Sequence, residues 1–512
     1  MQPYECILIN PRSIYYSKGH NSPPYLCAGL LSIASLLESK GCRTFILDMV
    51  AEEDPLAVLE DYLGKAPGKV LVVGLTVMTS QIKHAIELSA HIKNRHPEIR
   101  IIWGGIHPSL FPEDILRESL ADFVCAGEGE YTLYELLSAL KTGADLKTIK
   151  GLYFRKGGEI VSTGPRRPND LETLPFFNFD LINYSRYRTR IVPTERGPEE
   201  VRFGVVISSV GCPYRCTFCV NTNKQLHFGG YRSKSAGRIV DELEFLANKY
   251  GINYFDFLDE NFFVDKRRVG EFLRELKSRG LKFKWYTNMR ADAFDRQIVD
   301  EQTLKELNRE GLHWLGIGAE SGSQRILDKL KKDISVEQIY RSAELVTGAG
   351  IRISYSFIMG LPGETRRETE ATLQMVRDLK TCDKKISIIG PQIFRPYPGG
   401  ELYEECVNQL GYVPPRTTAE WGRASDLLTG FDNIEKLTWI PDREFIKKAV
   451  FYTEIINMDL ETLDCGPARR LIFSVLKRLA ALRIRYRFWS LNWEMRLILF
   501  YRNWRSRRLN SL

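Results

Sequence analysis

Residues 211–220 read GCPYRCTFCV and set Cys212, Cys216 and Cys219 in a C-x3-C-x2-C spacing directly after the apolar run 203–210. Three thiolates on one short loop can hold three irons of a four-iron, four-sulfur cluster and leave the fourth iron without a protein ligand. An iron left open in this way is a reaction site. Two plainer readings are a zinc site and three unrelated cysteines. Zinc structural sites take four ligands in two pairs, whereas the nearest later donor, His227, stands alone.

The pattern on the C-terminal side of this loop sets the fold around it. Strand-like runs at 203–210, 254–258, 283–288, 314–318, 351–358 and 385–393 alternate with helical patterns starting near Ser235, Asp265, Gln302, Ser335 and Arg366. Six such units predict a partial (β/α)6 barrel, open on one side, with its chemistry at the carboxyl ends of the strands. The three cysteines follow the first strand. Asp259, Glu260 and Asn261 follow the second, Asn288 and Arg290 the third, Glu320 the fourth, and Met359 and Gly360 the fifth.

On the N-terminal side, runs at 4–10, 44–48, 70–77, 99–103 and 122–126 alternate with helices and predict an α/β, doubly wound (flavodoxin-like) parallel sheet. Such sheets bind ligands beyond the strand ends where the strand order switches. Thr76, Thr79 and Ser80 follow the third strand, Gly104, Gly105 and His107 the fourth, and Gly127, Glu128, Gly129 and Glu130 the fifth. Glycines there let a large ligand approach the backbone. Neither G-x-G-x-x-G nor a P-loop occurs, which argues against a dinucleotide or nucleoside triphosphate. Between the two α/β regions, residues 151–164 read as a hairpin turning at Gly157-Gly158, followed by a proline-punctuated connector. The expected domains are therefore 1–145, a linker 146–200, the barrel 201–405, and a helical C-terminal region 406–512.

The cysteine spacing, with Phe218 just before the last cysteine, resembles the radical S-adenosylmethionine (SAM) superfamily. The resemblance implies a [4Fe-4S] cluster whose open iron is chelated by SAM, and one-electron cleavage of SAM to a 5′-deoxyadenosyl radical. It also implies SAM contacts at the barrel mouth, with Asp259 and Glu260 near the amino group, Asn288 and Arg290 toward ribose or substrate, Glu320 accepting from ribose or amine, and Met359 and Gly360 against adenine. The stretches PPYLCAGLLSIASLLESKG, GLTVMTSQ, WGGIHPSLFPEDIL and ADFVCAGEGEYTLYELL are similar to the cobalamin-binding domain of one branch of that superfamily. They imply cobalamin across these loops. The D-x-H-x-x-G loop that supplies a lower axial histidine is absent, since residues 11–20 read PRSIYYSKGH. His107 either bonds local backbone in its turn or takes part in the ligand site. After the sixth strand, PQIFRPYPGGELYEE resembles the branch's P-x-P-G-T segment, with Gly400 where threonine is usual.

The resemblance points to a cobalamin-dependent radical SAM methyltransferase acting at an unactivated carbon, or less often phosphorus, of a small-molecule or lipid substrate, with an external donor of flavodoxin or ferredoxin type. The alternatives are a cyclase of the magnesium-porphyrin ester kind and a non-catalytic cobalamin or redox sensor. Ten scattered cysteines in 512 residues, and no cleavable signal pattern at Met1, predict a reducing cytoplasm. The net charge of +8 is concentrated in the tail. Residues 469–512 carry twelve Arg or Lys and one acid, Glu494, so the rest of the chain is near −3. Nucleic acid is not expected, because no recognised binding fold accompanies this charge. The tail carries Leu, Ile, Phe and Trp at helical spacing. It reads either as an extension packed on the barrel or as a basic amphipathic helix on the inner face of an anionic membrane, with Trp489, Trp493 and Trp504 at the interface.

Overall fold

A computed structural model describes residues 5–13, 25–64, 72–194, 197–223, 226, 230–425, 431–458 and 466–498. His227, Trp504 and most of the 11–20 loop lie outside the described residues.

The first sheet contains β1 (Cys6–Asn10), β2 (Thr44–Asp48), β3 (Val72–Thr76), β4 (Arg100–Gly104), β5 (Phe123–Cys125), β6 (Leu152–Lys156) and β7 (Glu159–Ser162), in the order β2-β1-β3-β4-β5-β6-β7. β1 to β5 pair in parallel. Helices cover both faces of these strands, so β1 is an uninterrupted apolar run whose residues Cys6 to Ile9 are all buried. The strand order reverses between β1 and β3, which puts the switch-point crevice at their carboxyl ends. The 151–164 hairpin turns at Gly157-Gly158 as expected. It does not belong to a free linker, however: β6 pairs antiparallel with β5, and the hairpin extends the sheet and covers its three-residue edge strand.

The second sheet contains β8 (Thr189–Thr194) and β9 (Gly197–Val206), then, past the short ribbon of β10 (Ser209–Val210) and β11 (Arg232–Ser233), β12 (Tyr254–Phe257), β13 (Lys284–Met289), β14 (Leu312–Glu320), β15 (Arg352–Met359) and β16 (Ile386–Ile393). Its order is β16-β15-β14-β13-β12-β9-β8, with β9 and β12 to β16 parallel and the ends unpaired, a curled half-barrel. β8 was not foreseen, because Pro193 and Pro198 read as breakers. They sit opposite each other on an antiparallel edge hairpin, where a missing N–H has least effect on the ladder. Helix starts follow local chemistry. Ser235, Asp265, Asp300 and Ser335 each cap a helix by accepting a backbone N–H. Phe257, Phe262, Phe272 and Trp285 pack in edge-on and tilted contacts between this sheet and its outer helices.

The C-terminal region binds both halves. The helix Thr418–Ser425 returns to the first sheet, where the Glu118 carboxylate accepts from the N–H groups of Thr418 (2.6 Å) and Ala419 (2.9 Å) and Trp421 is buried against His107 and Phe111. The helices Arg443–Asn457 and Pro467–Tyr486 pack on the barrel helix Arg366–Cys382. The basic segment is not one long helix. It reverses at Arg487 (φ 52°) and Leu491 (φ 53°), and this turns Trp489 inward. Trp489 is buried against Phe445 and Tyr452 and donates to Glu370 at 2.9 Å, so it is not an interfacial residue.

Candidate functional site

The cluster-type loop is held by three neighbours. Gly211 turns the chain at φ 82°, so close to Gly230 O that no Cβ would fit. Thr217 N donates to Leu330 O (2.9 Å) and Thr217 O accepts from Leu402 N (2.9 Å), which ties the loop to the segments after β14 and β16. An added Cβ at Gly400 would lie 2.7 Å from Thr217 O, and this accounts for glycine where the related segment carries threonine. Within the loop Cys219 N donates to Cys216 O at 3.0 Å. Cys216 is buried, and Cys212 and Cys219 are half-buried. Burial, with the neighbouring cysteines adding to it, pushes the Cys212 and Cys219 thiols up, so an electropositive centre is needed to keep them as thiolates. Among the described residues no three His, Cys, Asp or Glu side chains converge on a single ion position. Three thiols on one short loop can each take their own iron of a cubane. The thiols therefore fit a four-iron cluster.

The mouth residues divide into those turned toward this loop and those consumed in the wall. Asp259 is fully buried and accepts from Ser208 N (2.9 Å), Ser208 Oγ (2.5 Å) and Ser209 Oγ (2.5 Å), with Arg268 at 3.5 Å. Its carboxylate fixes the end of β9 and has no capacity left for a ligand, while Asn288 Nδ2 donates to Asp259 O at 2.9 Å. Glu260 is exposed and accepts from Asn221 Nδ2 at 3.3 Å, just past the last cysteine. Arg290 is also committed. It donates to Asp292 (Nε–Oδ1 3.0 Å) and to Lys332 O, and its guanidinium lies 3.7 Å from the Tyr214 ring centroid. Arg290 thus braces the cluster-type loop through Tyr214.

Glu320 takes a left-handed backbone (φ 61°) where the β14–β15 register shifts. The buried carboxylate accepts from Lys332 Nζ at 2.8 Å, and Lys332 in turn lies 5.8 Å from the Phe218 ring centroid. A Cβ at Gly318 would lie 2.7 Å from Lys332 Nζ, so the small residue there is what admits the pair. Lys332 was not singled out from the sequence, because nothing in LDKLKKD marks one lysine as buried. Met359 is fully buried. Gly360 (φ 70°) packs on Ile440 and its carbonyl accepts from Trp439 Nε1 at 2.8 Å. Gly360 N and Leu361 N both donate to Glu364 Oε2 (2.7 and 3.1 Å), a buried carboxyl that desolvation pushes up to about 7.

At the switch point of the first sheet lies a cavity of about 220 Å³, lined among others by Gly29, Thr76, Gly104, Gly105, Gly127, Glu128, Gly129 and Glu130. Gly105 (φ 99°) lies 3.0 Å, by a notional Cβ, from Val77 N, so side chains are kept out of this rim. Thr79, Ser80 and His107 do not line the cavity. His107 is fully buried, bonded through Nδ1 to Thr79 Oγ1 at 3.2 Å and wedged against Trp421. Burial drives its pKa to about 3, so it is neutral. It bonds a side chain rather than local backbone and belongs to the packing beneath the rim. The apolar, glycine-walled cleft fits the approach of a large flat cofactor.

The two centres adjoin. Glu128 is ion-paired with Arg232 on β11 and accepts from Asn169 N at 2.6 Å, while Glu130 accepts from Ser32 Oγ (2.6 Å) and Asn169 Nδ2 (2.8 Å). A Cβ on Gly127 would lie 3.9 Å from Leu226 O, in the segment that follows the third cysteine.

A switch-point cleft in a doubly wound sheet thus abuts a half-barrel whose first parallel strand runs into three cysteines. The chain belongs to the radical SAM superfamily: residues 206–376 match the Radical SAM superfamily, and residues 26–137 match the B12 binding domain. It is 31% identical over 392 residues to an uncharacterized methyltransferase of Pyrococcus horikoshii, spanning 76% of this chain and 79% of that one. It is 28% identical over 396 residues to the anaerobic magnesium-protoporphyrin IX monomethyl ester cyclase of Cereibacter sphaeroides, spanning 74% of this chain but only 61% of that longer protein. The structure of OxsB with aqua-cobalamin and SAM superposes with a TM-score of 0.67 at 18% identity, covering 94% of this chain and 72% of OxsB. TsrM of Kitasatospora setae with its tryptophan substrate superposes at 0.63 with 21% identity, covering 80% and 76%. At those identities the two structures establish the fold. The protein is a cobalamin-dependent radical SAM enzyme, and its cofactors are a [4Fe-4S] cluster, SAM and cobalamin.

Proposed function

We infer that the chain is a methyltransferase acting at an unactivated carbon, with phosphorus as the less frequent acceptor. The observation that carries this reading is the direct contact of the two centres through Glu128–Arg232 and Gly127–Leu226. That contact brings both centres within reach of one substrate. When bound, the three cofactors supply a reducing electron, a hydrogen-abstracting radical and a transferable methyl group. Cys212, Cys216 and Cys219 hold the cluster, Arg290 and Tyr214 brace their loop, and the buried Lys332–Glu320 pair beside Phe218 offers a cation and an acceptor to the zwitterionic methionyl end of SAM. The glycine rim at 104–105 and 127–129 admits cobalamin, and Glu364 holds the Gly360 turn where adenine packs. A methyltransferase of P. horikoshii and the cytidylyl-2-hydroxyethylphosphonate methyltransferase of Streptomyces wedmorensis, 26% identical over 462 residues, support methyl transfer. The electron comes from an external flavodoxin- or ferredoxin-type donor.

The test is anaerobic. The reconstituted enzyme is given cobalamin, SAM, a reductant and cell extract, and 5′-deoxyadenosine and S-adenosylhomocysteine are quantified. Comparable amounts of both, lost together in Cys216→Ala, are expected. Deoxyadenosine without S-adenosylhomocysteine would overturn methyl transfer in favour of the cyclase chemistry named for the Cereibacter relative.

A further inference from the structure

We propose that the outer face of the helix Pro467–Tyr486, continued through residues 488–497, is a docking surface for an anionic lipid bilayer. This rests on the C-terminal packing alone and is independent of the reaction proposed above. The helix is apolar on two opposite sides. Its inner side, with Leu476, Ala480 and Ile484, is packed into the C-terminal core. Its outer side presents Leu471, Val475, Leu482 and Tyr486, which are 67%, 56%, 50% and 68% exposed and recur at spacings of four and seven residues along one stripe. Past the turn, Leu491 (74%) and Trp493 (61%) continue the apolar surface. Nine of the sixteen exposed large apolar side chains among the described residues fall between 471 and 497, so the exposure concentrates in this segment.

Charge selects the occupant. Arg470, Arg478 and Arg485 flank the stripe and are exposed. The one acid of the segment, Glu494, is buried and already paired with Arg483 (Nη2–Oε2 3.0 Å) and Tyr452 (2.9 Å), so it leaves the surface purely basic. Residues 499–512 carry four arginines and no acid, so folding them back over this stripe would set like charges together. A second copy of the chain would do the same across a twofold axis. A nucleic-acid backbone would match the arginines but leave the aliphatic stripe in water. An anionic bilayer satisfies both, with leucines and Trp493 in the acyl boundary and guanidinium groups at the phosphates. Among the described residues no helix is long and apolar enough to cross a membrane, so the contact is peripheral.

The test uses the full-length chain, sedimented with vesicles of phosphatidylcholine alone or with three-tenths phosphatidylglycerol. Binding to the anionic vesicles only, weakened by high salt, is expected. The double variant Leu482→Asp, Leu491→Asp changes two exposed side chains and should keep the wild-type melting temperature while its vesicle affinity falls at least tenfold. Absence of binding to anionic vesicles overturns the proposal. So does equal affinity of variant and wild type, or a wild-type dimer in light scattering that the variant turns into a monomer.

Discussion

Glu364 gives the sharpest quantitative expectation. Its carboxyl is buried beside the Gly360 turn, Oε2 accepts two backbone N–H groups, and Oε1 has no partner. Burial lifts it from the usual 4.5 to about 7. A carboxyl raised in the folded state contributes stability that is fully present below its unfolded value and is lost as pH rises through about 7. Once ionised, it costs about 3 kcal/mol. About 2 kcal/mol of that falls between pH 5.5 and 8.5. Glu364→Gln keeps an oxygen for both N–H groups and removes the titration. The variant should therefore be more stable than wild type at pH 8.5 by about 2 kcal/mol relative to their difference at pH 5.5. Urea unfolding of the cofactor-free chain, followed by tryptophan fluorescence under reductant, reads this out, and Trp439 sits on the same turn. Asp256, also raised to about 7, gives wild type a second pH-dependent component that persists in the variant, so the difference isolates Glu364. Parallel pH profiles for the two proteins would show the carboxyl ionised at no cost and refute the argument.

Three further outcomes follow from the same contacts. Lys332→Met leaves the buried Glu320 carboxylate without its cation and should destabilise the chain by about 3–5 kcal/mol, while Glu320→Gln with Lys332→Met recovers more than half of that in urea unfolding. Gly105→Ala forces a side chain into a left-handed position 3.0 Å from Val77 N; cobalamin affinity by equilibrium dialysis should drop at least tenfold while iron and sulfide content stay at wild-type values. Arg232→Met breaks the ion pair with Glu128 between the two centres, and product analysis should find deoxyadenosine formation retained with methyl transfer reduced at least tenfold.

The fold was largely legible because its signals are local: short apolar runs for the strands, capping side chains at the helix starts, and glycines at the strand ends. The cysteine loop was legible for the same reason. What escaped the reading depends on partners far along the chain. Asp259 and Arg290 carry the right chemistry at the right strand ends, yet Ser208, Ser209 and the Lys332 carbonyl consume them, and no spacing rule announces that competition. Lys332 acquires its place only when Gly318 admits it beside Glu320. The G-G-x-H-P turn left His107 open between a turn role and the ligand site, and Trp421, more than 300 residues later, closes over it. β8 was hidden by prolines that an edge position tolerates.

These long-range partners share a logic. Asp259, Arg290 and His107 each follow a strand end near one of the two centres, and each is spent on holding its surroundings in place. Radical chemistry favours that arrangement. A flexible, solvated acid or base near the reacting centre would bring water with it, whereas a side chain locked into the wall fixes the loop and excludes solvent. The fully buried carboxylate of Asp259 is the strongest instance: three short hydrogen bonds from Ser208 and Ser209 pin the residues immediately before the cysteine loop. The position of the three thiols is thereby set by the barrel wall rather than by the loop itself.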